Sequence, residues 1–177
     1  MHFPFLSLAG WLTLGSLCFA TPSAAITISG MANPWLAGAP NGTTAASGDE
    51  APAQSPVQVN VAEGDELRFF VYGQSGYSPG SATGPDGVGS ANGFHNTSHS
   101  AENGIGPVNN VPANALLGVF LSDSVPVAGE EPVALDFTGA NKDYATSLPA
   151  LKQPFFIGNG LTSGGARQVI YVPVGAT

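Results

Sequence analysis

The chain has 177 residues, of which four are basic and twelve acidic, leaving a net charge of −8 at neutral pH. So acidic a surface repels phosphate backbones and sets nucleic acid aside as a partner. The single cysteine, Cys18, lies in the apolar amino-terminal run; once that run is removed, disulfide frameworks, thiolate catalysis and cysteine-based metal sites are excluded.

In chain order, residues 1–25 run apolar from Phe3 to Ala20 and end in small residues, with Ser23 and Ala25 placed as the small pair of a cleavage site. This pattern predicts a secretory signal peptide, and hence an exported protein, secreted or at the cell surface, with no membrane segment after cleavage. Residues 26–177 remain as a single domain, long enough to bury roughly 70% of its unfolded surface. Only 9% of all residues are charged while 43% are hydrophobic, a balance that favours folding over disorder.

No window carries a helical period unbroken by Gly or Pro, and strand signals recur instead. They are AITIS (25–29), VQVNV (57–61), LRFFVY (67–72), ALLGVFL (115–121), VALDF (133–137), PFFIG (154–158) and QVIYV (168–172). In VQVNV the alternation sends Val57, Val59 and Val61 to a buried face and Gln58 and Asn60 to solvent. Between this run and the next, Ala62–Glu66 predicts a hairpin turn with Gly64 at positive φ. Phe69, Phe70, Phe120, Phe155 and Phe156 lie within strand signals and read as core. Short strands with turn-rich joints predict an all-β fold, an antiparallel β-sandwich of the galactose-binding or jelly-roll kind. Two long polar loops interrupt it, 33–56 and 73–114, and loops of that length are commonly functional.

The turn Val61-Ala62-Glu63-Gly64 feeds a strand, whereas Val172-Pro173-Val174-Gly175 is followed only by Ala176 and Thr177. If the two turns play the same role, the sheet lacks its last strand and exposes unpaired backbone. An oligomer or a strand-completing partner is then expected.

Three patterns carry candidate chemistry. Gly76-Tyr77-Ser78-Pro79-Gly80 satisfies the G-x-S-x-G pattern of a serine hydrolase. A nucleophile elbow, however, needs a following helix and the backbone N–H after the serine as an oxyanion donor. Pro79 has no N–H and the residues after it are poor helix formers, so the expectation is a protein that is not an enzyme. His95 and His99, with Glu102 three residues later, would converge on a metal only if they shared a helix, and this segment lacks helix formers. As loop histidines beside a cleft they become candidates to hydrogen-bond sugar hydroxyls. The acidic pairs Asp49-Glu50 and Glu130-Glu131 read as solvated loop residues, while loops rich in Asp, Asn and Gly suit calcium.

Tyr77-Ser78-Pro79 with Gly84-Pro85-Asp86-Gly87, preceded by the strand LRFFVYG, resembles the first calcium loop of the PA-IL-like galactose-binding bacterial lectins. ANPWLAG and AENGIGPVNN…ALLGVFL also resemble exported bacterial proteins of this lectin-like kind, which often carry a carboxy-terminal sorting signal. The resemblance implies calcium-dependent binding of an extracellular glycan or polysaccharide. The backbone carbonyl of Tyr77 would then be a calcium ligand, and Asp86, His95 and His99 the sugar-binding candidates. The family's remaining calcium ligands lie before its final strand, beyond the last residue here, so the expectation is a truncated lectin domain with an incomplete calcium site. The alternative is a structural protein of the extracellular matrix or envelope that uses the same fold without binding sugar.

Overall fold

The computed structural model describes residues 25–76, 80, 82–88 and 96–177. Residues 1–24 of the predicted signal peptide, Tyr77, Ser78, Pro79 and His95 lie outside the described residues. Within them are eight short strands: β1 (Glu66–Leu67), β2 (Thr97–His99), β3 (Val108–Val111), β4 (Leu117–Gly118), β5 (Leu135–Asp136), β6 (Thr146–Ser147), β7 (Phe155–Phe156) and β8 (Val169–Tyr171). Helix among the described residues is confined to the 3₁₀ turns Pro34–Leu36 and Gly139–Lys142. The first is fixed by Asn33, whose side-chain oxygen accepts from the Trp35 N–H at 3.0 Å, and by Pro34, which starts the turn without needing a donor.

The fold is β-rich, with strands in three small sheets ordered β1-β8-β6, β2-β3-β5 and β4-β7. Pairs β1/β8, β2/β3 and β4/β7 are antiparallel, as the sequence led us to expect. Pairs β3/β5 and β6/β8 are parallel, which corrects the purely antiparallel expectation. A parallel pair needs a crossover, and each is supplied by a strand of the third sheet. The chain passes from β3 through β4 to β5 and from β6 through β7 to β8, and the two crossover strands β4 and β7 pair with each other.

Strand β7 also divides the core. Successive strand residues face opposite ways, so Phe156 joins a cluster with Trp35, Ile105, Val108, Val111 and Phe137. Phe155 joins another with Phe120, Ile157, Ile170, Val172 and Ala176. The Phe155 ring stacks on Phe120 with centroids 4.8 Å apart. Gly118, its register partner on β4, leaves room for it: a Cβ there would lie 2.6 Å from the ring.

Two strand signals fail. AITIS and VQVNV adopt no strand, and Val57 and Val59 are 45% and 55% exposed. Alternation creates a face to bury but not a neighbour to bury it, and residues 57–60 find no strand partner among the described residues. Only Val61, next to the turn, packs against the second cluster. Conversely β2, β3 and β6 form where no apolar alternation marks them, inside or beside segments read as loops.

The two turns that invited comparison have the same form and lie against each other. Asp65 N–H donates to the Ala62 carbonyl at 3.0 Å and Ala176 N–H to the Pro173 carbonyl at 3.2 Å, with Gly64 at φ 82° and Gly175 at φ 81° in equivalent positions. Gly64 N–H donates to Val172 at 3.1 Å and Val172 N–H to Asp65 at 2.9 Å. Gly175 N–H donates to the Glu63 carboxylate at 3.1 Å. The final residues are docked: Ala176 is buried, and Thr177 N–H donates to the Leu121 carbonyl at 3.1 Å.

Candidate functional site

The loop that follows β1 is closed at its base. Ser75 and Thr83, which flank the Gly76–Gly80 motif in sequence, exchange backbone hydrogen bonds of 3.0 and 2.8 Å. Residues 82–88, beyond Ser78, form a turn with isolated bridges and not the helix of a nucleophile elbow. The turn is Gly84-Pro85-Asp86-Gly87, closed by Gly87 N–H on the Gly84 carbonyl at 2.9 Å. Pro85 presets φ at its second position.

Asp86, a sugar-binding candidate, is exposed, but both of its oxygens hold Asn159. Oδ1 accepts from the Asn159 backbone N–H and Oδ2 from its side-chain amide, each at 2.8 Å. The carboxylate fastens the loop to the Gly158-Asn159-Gly160 turn that follows β7. A Cβ at Gly158 would lie 2.4 Å from Oδ1, so this approach requires glycine.

His99, the described member of the histidine pair, lies on β2. Its ring stacks on Trp35 with centroids 3.6 Å apart. Nδ1 lies 2.7 Å from the Ser100 carbonyl, which assigns the ring hydrogen to Nδ1. Nε2 faces Glu102 at 3.7 Å, and the other Glu102 oxygen accepts from Ala46 N–H. The Asn103 amide bridges the carbonyls of Trp35 and Thr44 at 3.1 and 3.2 Å. This corner clamps the 33–56 loop onto β2, and no hydrogen bond or ion pair joins it to Asp86 among the described residues. Nor do three His, Cys, Asp or Glu side chains converge to hold an ion among the described residues.

Other carboxylates also act as staples. Asp143 accepts from both the backbone and the hydroxyl of Ser163, and these bonds hold its pKa below the usual aspartate value. The Thr138 hydroxyl, then the Asn110 amide and the Thr138 backbone, do the same for Asp136.

The surface that stands out includes Phe70, which the sequence reading assigned to the core. From Leu67 to Tyr72 burial alternates residue by residue. Leu67, Phe69 and Val71 pack on the second cluster. Arg68, Phe70 and Tyr72 face solvent, with Phe70 72% and Tyr72 86% exposed, which corrects the placement of Phe70 in the core.

The Arg167 guanidinium lies over one face of Phe70, 3.7 Å from the ring centroid, and its Nη1 donates to the Phe69 carbonyl at 2.8 Å. A small hairpin presents it. Leu161 and Arg167 bridge, and Gly165 N–H closes the turn on the Thr162 carbonyl at 2.9 Å. Arg68 pairs with Glu66 at 2.9 Å on the same exposed face. The strip therefore carries two of the chain's four basic residues beside two open aromatic rings.

Compared with known protein families, curated proteins and solved structures, the chain matches none.

Proposed function

We propose that the chain is an exported, non-enzymatic carbohydrate-binding protein whose β-rich domain is a lectin-like sandwich, and that it holds sugar on the strip formed by Arg68, Phe70, Tyr72 and Arg167. The observation that carries this reading is the exposure of Phe70 and Tyr72 on one face of an extended segment, flanked by anchored guanidinium donors. Residues two apart on a strand are spaced about 6.6 Å, comparable to the length of one sugar ring. An aromatic face packs against the apolar C–H face of a pyranose, and guanidinium N–H groups donate to its hydroxyls. A site of this kind needs no ion, so binding is independent of calcium, unlike the family that the 77–87 loop resembles.

The test is retention of the protein on immobilised galactan with and without EDTA. Retention under both conditions, lost in the Phe70→Ala/Tyr72→Ala double variant, is the expected result. Retention abolished by EDTA and indifferent to that variant would refute the strip and return the site to the loop of Tyr77.

A second reading, a structural matrix or envelope protein, draws support from Ile26, Ile28, Val57 and Val59, which are all exposed in segments without strand pairing. Such segments are templates for strand addition. Mass that grows with concentration in sedimentation equilibrium, and is reduced to monomer by Val59→Lys, would favour it over sugar binding.

A further inference from the structure

We infer that the strip selects acidic polysaccharide, specifically a pyranose chain bearing ring carboxylates; this rests on the carbohydrate-binding reading above and names the class of sugar. The argument starts from charge. Twelve carboxylates face four basic side chains in this protein, so each guanidinium has many potential partners. The ion pairs that arginine and lysine make among the described residues are Arg68 with Glu66 and Lys152 with Glu130. Arg167 is in neither of them. Its guanidinium lies instead on Phe70, and one of its five N–H donors is engaged by a backbone carbonyl.

A guanidinium held flat in this way is preorganised. Its planar fork matches a carboxylate bidentately, and little side-chain freedom remains to be lost when one arrives. The stack on Phe70 also fixes where that carboxylate sits, at the edge of the ring on which a pyranose would lie. Phe70 keeps its second face for the sugar, because Arg167 covers only one and the residue is 72% exposed. Arg68 lies two residues along the same face, in exchange with the exposed carboxylate of Glu66 at 2.9 Å, a partner that a ring carboxylate can replace.

The net charge of −8 sharpens the selection. The acidic remainder of the surface repels a polyanion, so attraction is confined to the strip. A neutral glycan gains the aromatic contact and hydrogen bonds to its hydroxyls, but not the bidentate pairing of a carboxylate with the guanidinium.

The probes are sodium polygalacturonate and a neutral galactan, which lacks the carboxylate, compared by affinity gel electrophoresis at low and moderate salt. Polygalacturonate is expected to retard the protein more strongly than galactan. Arg167→Gln should weaken polygalacturonate binding by about ten- to a hundredfold, the worth of a charge-assisted hydrogen bond to a carboxylate, and galactan binding, which loses only a hydrogen bond to a neutral hydroxyl, by less, about two- to tenfold. Arg167→Lys keeps the charge without the fork and should recover part of the loss. A circular-dichroism melt of each variant identifies any that fail to fold, and Arg68→Gln, on the exposed face of the segment after β1, then provides the independent reading. Equal retardation by both polymers, unaffected by Arg167→Gln or Arg68→Gln but abolished by Phe70→Ala/Tyr72→Ala, would overturn the acidic selection and leave carbohydrate binding standing. Retardation by neither polymer would overturn both.

Discussion

The approach of the Leu161–Arg167 hairpin to the strip depends on Gly160, and two glycine substitutions isolate that contact. Gly160 has φ +79°, and a Cβ there would lie 2.2 Å from the Phe69 carbonyl oxygen and 2.9 Å from its carbon. Gly165, at the other end of the same hairpin, has φ +81° with nothing within 4 Å of the Cβ position. Alanine at either site takes on the left-handed backbone conformation, which costs about 1–2 kcal/mol. Only at Gly160 does it also meet backbone that no rotamer change can move, an overpacking cost of about 1–3 kcal/mol. Gly160→Ala is therefore expected to destabilise by about 2–5 kcal/mol and Gly165→Ala by about 1–2 kcal/mol. At about 2–4 °C per kcal/mol for a chain of this size, the two thermal midpoints separate by several degrees in scanning calorimetry. Gly160→Ala also displaces the carbonyl that anchors Arg167, so polygalacturonate retention should fall in this variant, even well below its melting temperature, and survive in Gly165→Ala. Equal midpoints for the two variants would refute the claim that close packing against Phe69 presents Arg167.

Three further outcomes follow from named contacts. Asp86→Asn replaces an acceptor with a donor facing the Asn159 amide, so the melting temperature should fall with galactan retention unchanged; lost retention at an unchanged midpoint would make Asp86 a sugar contact after all. Asp136, Asp143 and Glu131 all have lowered pKa values, from ordinary values of 3.8 for aspartate and 4.5 for glutamate, through the hydrogen bonds they accept. In the window below those values the unfolded chain binds more protons than the folded one, so stability should hold from neutral pH to the ordinary carboxylate range and fall below it; urea midpoints unchanged at pH 3 would contradict this. Burial pushes the Tyr144 phenol up from 10.0, and its hydroxyl donates to the Phe156 carbonyl. Tyr144→Phe should thus cost about 1 kcal/mol in denaturant unfolding, and an unchanged midpoint would show that this bond adds nothing.

How much of the fold was legible depended on whether the signal was local. The Gly64 turn was legible because positive φ at glycine is a property of a few residues. PFFIG and QVIYV were legible because both yield strands whose residues are buried or half-buried. VQVNV has an equally good alternation and fails, because burial requires a partner strand and a single segment does not encode one. β3 was illegible for the opposite reason. Its Asn109 and Asn110 break the apolar pattern, yet they bond across the sheet: the Asn109 carbonyl accepts from Phe137 N–H at 3.0 Å and the Asn110 amide donates to Asp136 at 3.0 Å. The parallel pairings were likewise hidden, since they depend on which strands the chain threads through. Of the candidate site residues, Asp86 lies in a turn, whereas His99, read as a loop histidine, lies on β2; their partners, Asn159 and Trp35, lie far away in sequence.

The strip, by contrast, was written in LRFFVY and misread. Phe69 and Phe70 were both read as core because the run is apolar, yet a strand alternates and one residue fixes its parity. Arg68 must face solvent or find a buried partner, and with Leu67 inward it faces out. Once Arg68 is out, Phe70 and Tyr72 are out with it by a period of two, and Leu67, Phe69 and Val71 are in, as observed. The same parity links the strip to the loop it precedes, since Tyr72 is the last exposed ring before Gly73 and the closed base at Ser75.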